Sequence, residues 1–158
     1  MKVTVCSVQE ENLTAIEEIE KLCFSVPWTL EQLRSQLPGE QNVFLLAKDS
    51  SGFVLGYVGM MIVLDEGYIS NVAVSPQYRR QGIADMLIRE LLQEADKRAL
   101  SFVTLEVRAG NAPAISLYAK HGFIPVGRRK NYYMKPREDA ILMTKTWLRG
   151  YKNENTCI

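Results

Sequence analysis

The sequence predicts a mixed α/β fold: one central sheet, mostly antiparallel, with helices on both faces. Three observations carry that prediction. A β-like run at 68–74, a strongly periodic helical run at about 82–99 and a second β-like run at 102–108 form a βαβ unit, whose strands should be parallel with a right-handed crossover. The runs before and after that unit are separated by short turn-rich stretches, which suits antiparallel pairing. Two of the helical runs carry an apolar stripe along one face.

Taken in order, Lys2 to Ser7 reads as the first strand. A helix from about Glu10 sets Leu13, Ile16, Ile19 and Cys23 on one face. Phe24-Ser25-Val26-Pro27-Trp28 breaks it. Thr29, with Gln32 three residues on, forms a capping box for a short second helix that ends before Pro38-Gly39. Val43 to Lys48 and Val54 to Leu64 read as a hairpin around Asp49-Ser50-Ser51-Gly52. Asp65-Glu66-Gly67 turns into the strand Tyr68 to Val74. In the long helix Ala84, Leu87, Ile88, Leu91, Leu92 and Ala95 form the core stripe, with Ile83 at its edge. Phe102 to Arg108 is a strand and Pro113 to His121 a helix. Phe123 to Tyr132 and Arg137 to Trp147 are the last two strands. A single domain over 1–149 is expected, with a polar tail at 150–158 that frays.

Composition narrows the chemistry. The 158 residues suit one domain with a real core, at 47% hydrophobic and 23% charged. With 19 basic and 18 acidic residues, no global charge draws the chain to nucleic acid or to an anionic membrane. The longest apolar run, Phe53 to Leu64, is too short to span a bilayer, and the first residues lack the pattern of a signal peptide. Cys6, Cys23 and Cys157 are odd in number and widely spaced, and read as free thiols in a reducing cytoplasm. His121 is the only histidine and no Cys-x-x-Cys pair exists, so no metal site is expected. His121 stands just before a Gly helix stop, facing the negative end of the helix dipole.

Arg79-Arg80-Gln81-Gly82-Ile83-Ala84 lies between the strand at 68–74 and the long helix. The first N–H groups of a helix have no partner within it and carry the positive end of its dipole. Gly82 removes a Cβ where an anion would approach, and two arginines add charge. The stretch reads as a pyrophosphate cradle. It is not a Walker loop, since no Gly-Lys-Ser/Thr follows, and it has one of the three glycines of a dinucleotide fingerprint.

Arg79-x-x-Gly82-x-Ala84 after a strand resembles the acetyl-coenzyme-A loop of the GNAT superfamily of N-acetyltransferases. Asn111-Ala112-Pro113-Ala114-Ile115, leading to Leu117-Tyr118 and Gly122-Phe123, is similar to that family's later motif. Leu105-Glu106-Val107-Arg108, Arg128-Arg129-Lys130-Asn131-Tyr132-Tyr133, Glu138-Asp139-Ala140 and Pro27-Trp28 resemble the branch that acetylates the N-terminal alanine of a small-subunit ribosomal protein. The resemblance implies the acetyl-CoA N-acyltransferase fold, acetyl-CoA as co-substrate, and the N-terminus of a ribosomal protein as partner. It implies that Val72, Ala73 and Val74 pair with the pantetheine arm. Arg79, Arg80, Gln81, Gly82, Ile83, Ala84 and Asp85 would hold the pyrophosphate, with Asn111 a further coenzyme contact. Glu106 becomes the base and Tyr118 the acid. Trp28, Tyr132, Tyr133, Glu138 and Asp139 would flank the acceptor. The segment between Tyr133 and Arg137 is brief and lies where peptide would bind. A monomer or weak dimer in the cytoplasm is expected, with no direct nucleic-acid contact.

From the residues alone, alternatives stay open. Phe102, Thr104, Glu106 and Arg108 share one strand face, and a carboxylate there is solvated, paired or used. Pairing would be with Arg108 or a nearby Lys. Tyr118 either donates a proton or packs with its hydroxyl satisfied. Asn111 serves as a helix cap, a coenzyme contact or both. The alternative acceptor is a small-molecule amine or a lysine side chain; a non-catalytic coenzyme-A-binding module is the remaining reading, and the presence of both Glu106 and Tyr118 speaks against it.

Overall fold

The computed structural model describes residues 1–147. The tail expected at 150–158 lies outside the described residues. Seven strands form one sheet: β1 (Val3–Ser7), β2 (Asn42–Asp49), β3 (Val54–Val63), β4 (Glu66–Val74), β5 (Phe102–Arg108), β6 (Ile124–Met134) and β7 (Arg137–Thr146). Their order is β1-β2-β3-β4-β5-β7-β6. Every neighbouring pair is antiparallel except β4 and β5, which are parallel as the βαβ pattern requires.

That parallel pair is short. β4 meets β5 only at Glu66↔Phe102, Gly67↔Val103 and Tyr68↔Thr104, and the ladder then stops. From Ile69 onward β4 keeps β3 on one side and has no ladder on the other. β5 continues on β7 as far as Arg108. The sheet therefore opens along its middle, and the site lies at that opening.

Both faces are covered. Helix α3 (Ile83–Lys97) packs on β1 to β4, and α1 (Leu13–Cys23) on the opposite face against β3 and β4 with α2 (Leu30–Arg34) beside it. Leu87, Ile88, Leu91 and Ala95 of α3 are fully buried with Val58, Met60 and Val103 in one core. Leu13, Ile16 and Ile19 of α1 are buried with Phe44, Leu46 and Tyr57 in the other. Gly56 permits the close β3–β4 approach, because a Cβ there would stand 2.7 Å from the Ala73 carbonyl oxygen.

The element boundaries move by a residue or two from the sequence prediction, for local reasons. Glu10–Asn12 form a 3-10 turn before α1, with Asn12 Oδ1 accepting from the Gln9 N–H at 2.8 Å. The Thr29/Gln32 capping box forms in full. Gly82 is not the first helical residue but the N-cap of α3, in the left-handed region at φ 78°. Ile83, expected at the edge of the stripe, is 1% exposed, because it begins the 83-87-91 row that seats the helix start on the sheet. Pro76–Tyr78 form a 3-10 turn between β4 and Arg79. Helix α4 (Ala112–Lys120) begins one residue before Pro113, leaving Asn111 as its N-cap.

Candidate active site

The opening between β4 and β5 widens into a cavity of 680 Å³. Its floor comes from Ser70, Asn71 and Val72 of β4 and Glu106 to Arg108 of β5. One wall is α4 with Asn111 and Tyr118, and another is the loop Cys23 to Val26. The β6–β7 hairpin, from Tyr132 to Pro136, supplies the rest.

Glu106 sits on the floor with its side chain 7% exposed. Its partner is neither Arg108 nor a lysine. Tyr68 donates its hydroxyl to Glu106 Oε2, and Arg129 Nε lies 3.3 Å from Oε1. Arg108 is committed elsewhere: it donates to Glu138 and to the carbonyls of Lys135 and Pro136, and its guanidinium stacks 4.2 Å over the Tyr133 ring. A carboxylate so placed is both paired and open to a cavity.

Tyr118 lines the cavity from α4 and packs edge-on against Phe123, with ring centroids 5.8 Å apart. Burial, then the nearby Tyr133, pushes its phenol up to about 12. It therefore stays protonated across the ordinary pH range and can donate. Asn111 and Tyr118, seven residues apart, do line the same cavity. Asn111 Oδ1 caps α4 by accepting from the Ala114 N–H at 3.2 Å, which leaves its amide nitrogen as the group free to face the cavity.

The stretch from Arg79 to Ala84 runs from loop through Gly82 into a helix, as the sequence suggested, and Arg79 takes a different part. The residues after Gly82 open α3, and a Cβ on Gly82 would meet nothing within 4 Å. Gly82 thus borders open space beside a helix start whose first N–H groups have no partner within the helix, a setting that suits an anion. Arg79 turns back instead of lining this space: Nε donates to the Val74 carbonyl at 3.2 Å, and a terminal nitrogen lies 3.4 Å from Cys23 Sγ. Arg80, Gln81 and Gly82 are exposed, Ala84 is half-buried, and the Ile83 side chain belongs to the core. Asp85 is spent on Lys120, His121 and Arg89 at 2.9, 2.8 and 2.7 Å. Lys120 first, and then His121, holds its carboxyl below the usual range. Its side chain is thus a brace between α3 and α4, and His121 answers to Asp85 as well as to the helix end. Of the pantetheine residues, Val72 lines the cavity, Ala73 and Val74 are buried, and the Val74 carbonyl is already engaged by Arg79.

Tyr132 and Tyr133 line the cavity with rings 5.0 Å apart, edge to face. Glu138 and Asp139 do not line it. Glu138 accepts from Arg108 and from the Gly110 N–H, and Asp139 from Arg128 and the Asn131 N–H. Both fasten the hairpin, because β6 bulges out of register between Arg129 and Tyr133 and needs holding there. Trp28 also stays off the lining. It packs at the edge of the α1 core, and the loop before it reaches the cavity instead.

Two residues escaped the sequence reading. Tyr68 is one. The other is Glu20, fully buried, which accepts from the Tyr57 hydroxyl, from Asn71 Nδ2 at 2.6 Å and from the Trp28 N–H at 3.0 Å. It binds the cavity loop to β4 beside the bulge at Ser70. Its signal was available: Glu20 follows Ile16 by four on the apolar face of α1, where a charge calls for partners. Among the described residues no group of three or more His, Cys, Asp or Glu side chains can hold a metal ion. No helix among them is long and apolar enough to cross a membrane.

Residues 13–123 match the model of the acetyltransferase (GNAT) family. A Bacillus subtilis (strain 168) protein named as a candidate ribosomal protein bS18-alanine N-acetyltransferase is 39% identical over 148 residues, covering 92% of this chain and 96% of the relative. The Escherichia coli (strain K12) ribosomal protein bS18-alanine N-acetyltransferase is 37% identical over 142 residues, covering 89% and 95%. The crystal structure of the ribosomal-protein-S18-alanine N-acetyltransferase from Escherichia coli superposes with a TM-score of 0.87 at 34% identity, covering 96% of this chain and 98% of that one.

Proposed function

The chain belongs to the acetyltransferase (GNAT) family, and on that premise we propose that it moves acetyl from acetyl-CoA to the α-amine of an N-terminal alanine on a small-subunit ribosomal protein. Relatives with that name match over nearly their whole length. The observation that carries the chemistry is that one cavity gathers Glu106, Tyr118 and the unpaired edge of β4.

Each residue then has a task. The β4 edge, without a ladder beyond Tyr68, pairs with the pantetheine amides as an added strand would. The start of α3 takes the pyrophosphate, and Asn111 a further coenzyme contact. Glu106 accepts the proton of the acceptor amine through water. Tyr118 gives its proton to the sulfur that leaves. Tyr132 and Tyr133 hold the acceptor backbone, with the loop before Trp28 as the facing wall. Glu138, Asp139 and Asp85 act at one remove by fixing the hairpin and α4.

An α-amine titrates at about 7.7–8.0 and a lysine at about 10.4, so near pH 7.5 roughly a third of the former and roughly one in a thousand of the latter is neutral. A base working through water makes up the first deficit more easily. A competition tests the reading. One peptide has a free N-terminal alanine, and its partner is the N-acetylated copy with one internal lysine. Coenzyme A release should follow the first. Comparable rates on both, or release with a polyamine alone, would replace the proposed acceptor. Mass spectrometry of ribosomal proteins with and without this chain identifies the natural one.

A further inference from the structure

We propose that Tyr68 is a positioning residue: its hydroxyl holds the Glu106 carboxylate in the orientation from which that group serves the acceptor amine. This rests on the reading of Glu106 as the base.

The placement follows from the strands. Ile69 belongs to the α3-side core, so its neighbour Tyr68 faces the other way, as Thr104, Glu106 and Arg108 do on β5 beside the buried Val103, Leu105 and Val107. Tyr68 opposes Thr104 at the last rung before the strands part. Glu106 is the next residue on that face of β5, the first with no β4 neighbour opposite it. A glutamate has three side-chain torsions, and Glu106 has a flanking strand on one side only, β7 at Leu142, with none on the β4 side. Tyr68 has two torsions and a rigid ring, and it stands on the last paired residue of β4. Its hydroxyl reaches across to Oε2.

The two contacts on the carboxylate are unequal. Arg129 lies 3.3 Å from Oε1 on a side chain that is 56% exposed, where water competes. Tyr68 is half-buried, and burial, followed by its bond to Glu106, raises its pKa, so it remains a donor. The other charged and titratable groups near Glu106 are Arg108 on its own strand and Tyr132 and Tyr133 on β6. Arg108 is occupied by Glu138 and the hairpin carbonyls. Tyr68 is therefore the fixed partner. It takes one acceptor site of Oε2 and leaves the others for the water that carries the proton.

Tyr68→Phe keeps the ring and removes the hydroxyl, and with it the contacts to Glu106 and to Tyr132. It should lower kcat about tenfold while leaving KM for acetyl-CoA within about twofold. In a Glu106→Gln background the same change should alter kcat by less than about twofold, because a residue acting through Glu106 has nothing left to position. Equal losses in both backgrounds, or an undiminished Tyr68→Phe enzyme, overturn the proposal. Crystal structures of the wild type and of Tyr68→Phe decide it without turnover. One ordered Glu106 conformer in the first and a changed or dispersed one in the second supports it, and the same conformer in both overturns it. A wild type that acetylates no amine would remove the functional reading, and the Glu106 conformers would still be read.

Discussion

Ser25, in the loop between α1 and α2, donates a 2.7 Å hydrogen bond to the carbonyl of Lys135 at the tip of the β6–β7 hairpin. The two segments are far apart in sequence and face each other across the cavity. The bond ties the walls between which an acceptor must pass. Ser25→Ala should cost about 1 kcal/mol of that restraint and raise KM for an alanine-terminated peptide about fivefold. Turnover should stay within about twofold. Steady-state kinetics with varied peptide check it.

Glu106→Gln should reduce kcat/KM near pH 7 about 10²-fold. The loss should shrink toward about pH 9.5, above the α-amine pKa of about 7.7–8.0, where the acceptor is already neutral. A pH–rate profile of both enzymes is the measurement. A loss that stays constant with pH would leave Glu106 an orienting group.

Tyr118→Phe should lower kcat about 10²-fold and leave both KM values near wild type, because only a proton donor is lost. The wild-type profile adds a second check. Burial raises this phenol to about 12. Its protonated form is fully present below the ordinary tyrosine pKa of about 10 and is lost only as pH rises through about 12. No basic limb from Tyr118 should therefore appear below about pH 10, and folding stability linked to this group should decline over the same alkaline window.

Gly82→Val should weaken acetyl-CoA binding at least about tenfold, by placing a branched side chain on the anion side of the helix start. The backbone supplies a second effect. Gly82 has φ 78°, a conformation that costs a residue with a Cβ about 1–2 kcal/mol. The melting temperature should therefore fall by a few degrees while the fold persists. Gly82→Asn, which tolerates this conformation, should melt nearer wild type. Titration calorimetry and thermal melts separate the two effects.

Most of the fold was legible because its signals are local. The α3 stripe, the Thr29/Gln32 box and the alternation in β5 each depend on neighbours a few residues away. Glu106 was singled out from its strand and motif, Asn111 and Tyr118 from their helix and motif, and all three line one cavity. What the sequence did not show is which distant partner each polar group takes. Arg79 looked like charge for an anion, yet the end of β4 needed a donor for the Val74 carbonyl. Glu138 and Asp139 looked like acceptor contacts, and the β6 bulge claimed them. Tyr68 could be set on the Glu106 face only once the three-residue β4–β5 register was known.

That short register has a thermodynamic meaning. A sheet that stops pairing after three rungs is an unfinished structure, with a run of β4 backbone from Ile69 onward that β5 does not pair, although Arg79 takes the Val74 carbonyl. A molecule bearing amides of its own completes it. On the pairing proposed above for the pantetheine arm, loading acetyl-CoA is the last step of folding, and a ligand at about 100 times its Kd adds about 2.7 kcal/mol to the folded state. Melting temperature should thus rise with coenzyme concentration. The chain in a cell starved of acetyl-CoA and coenzyme A would be the form most open to proteolysis.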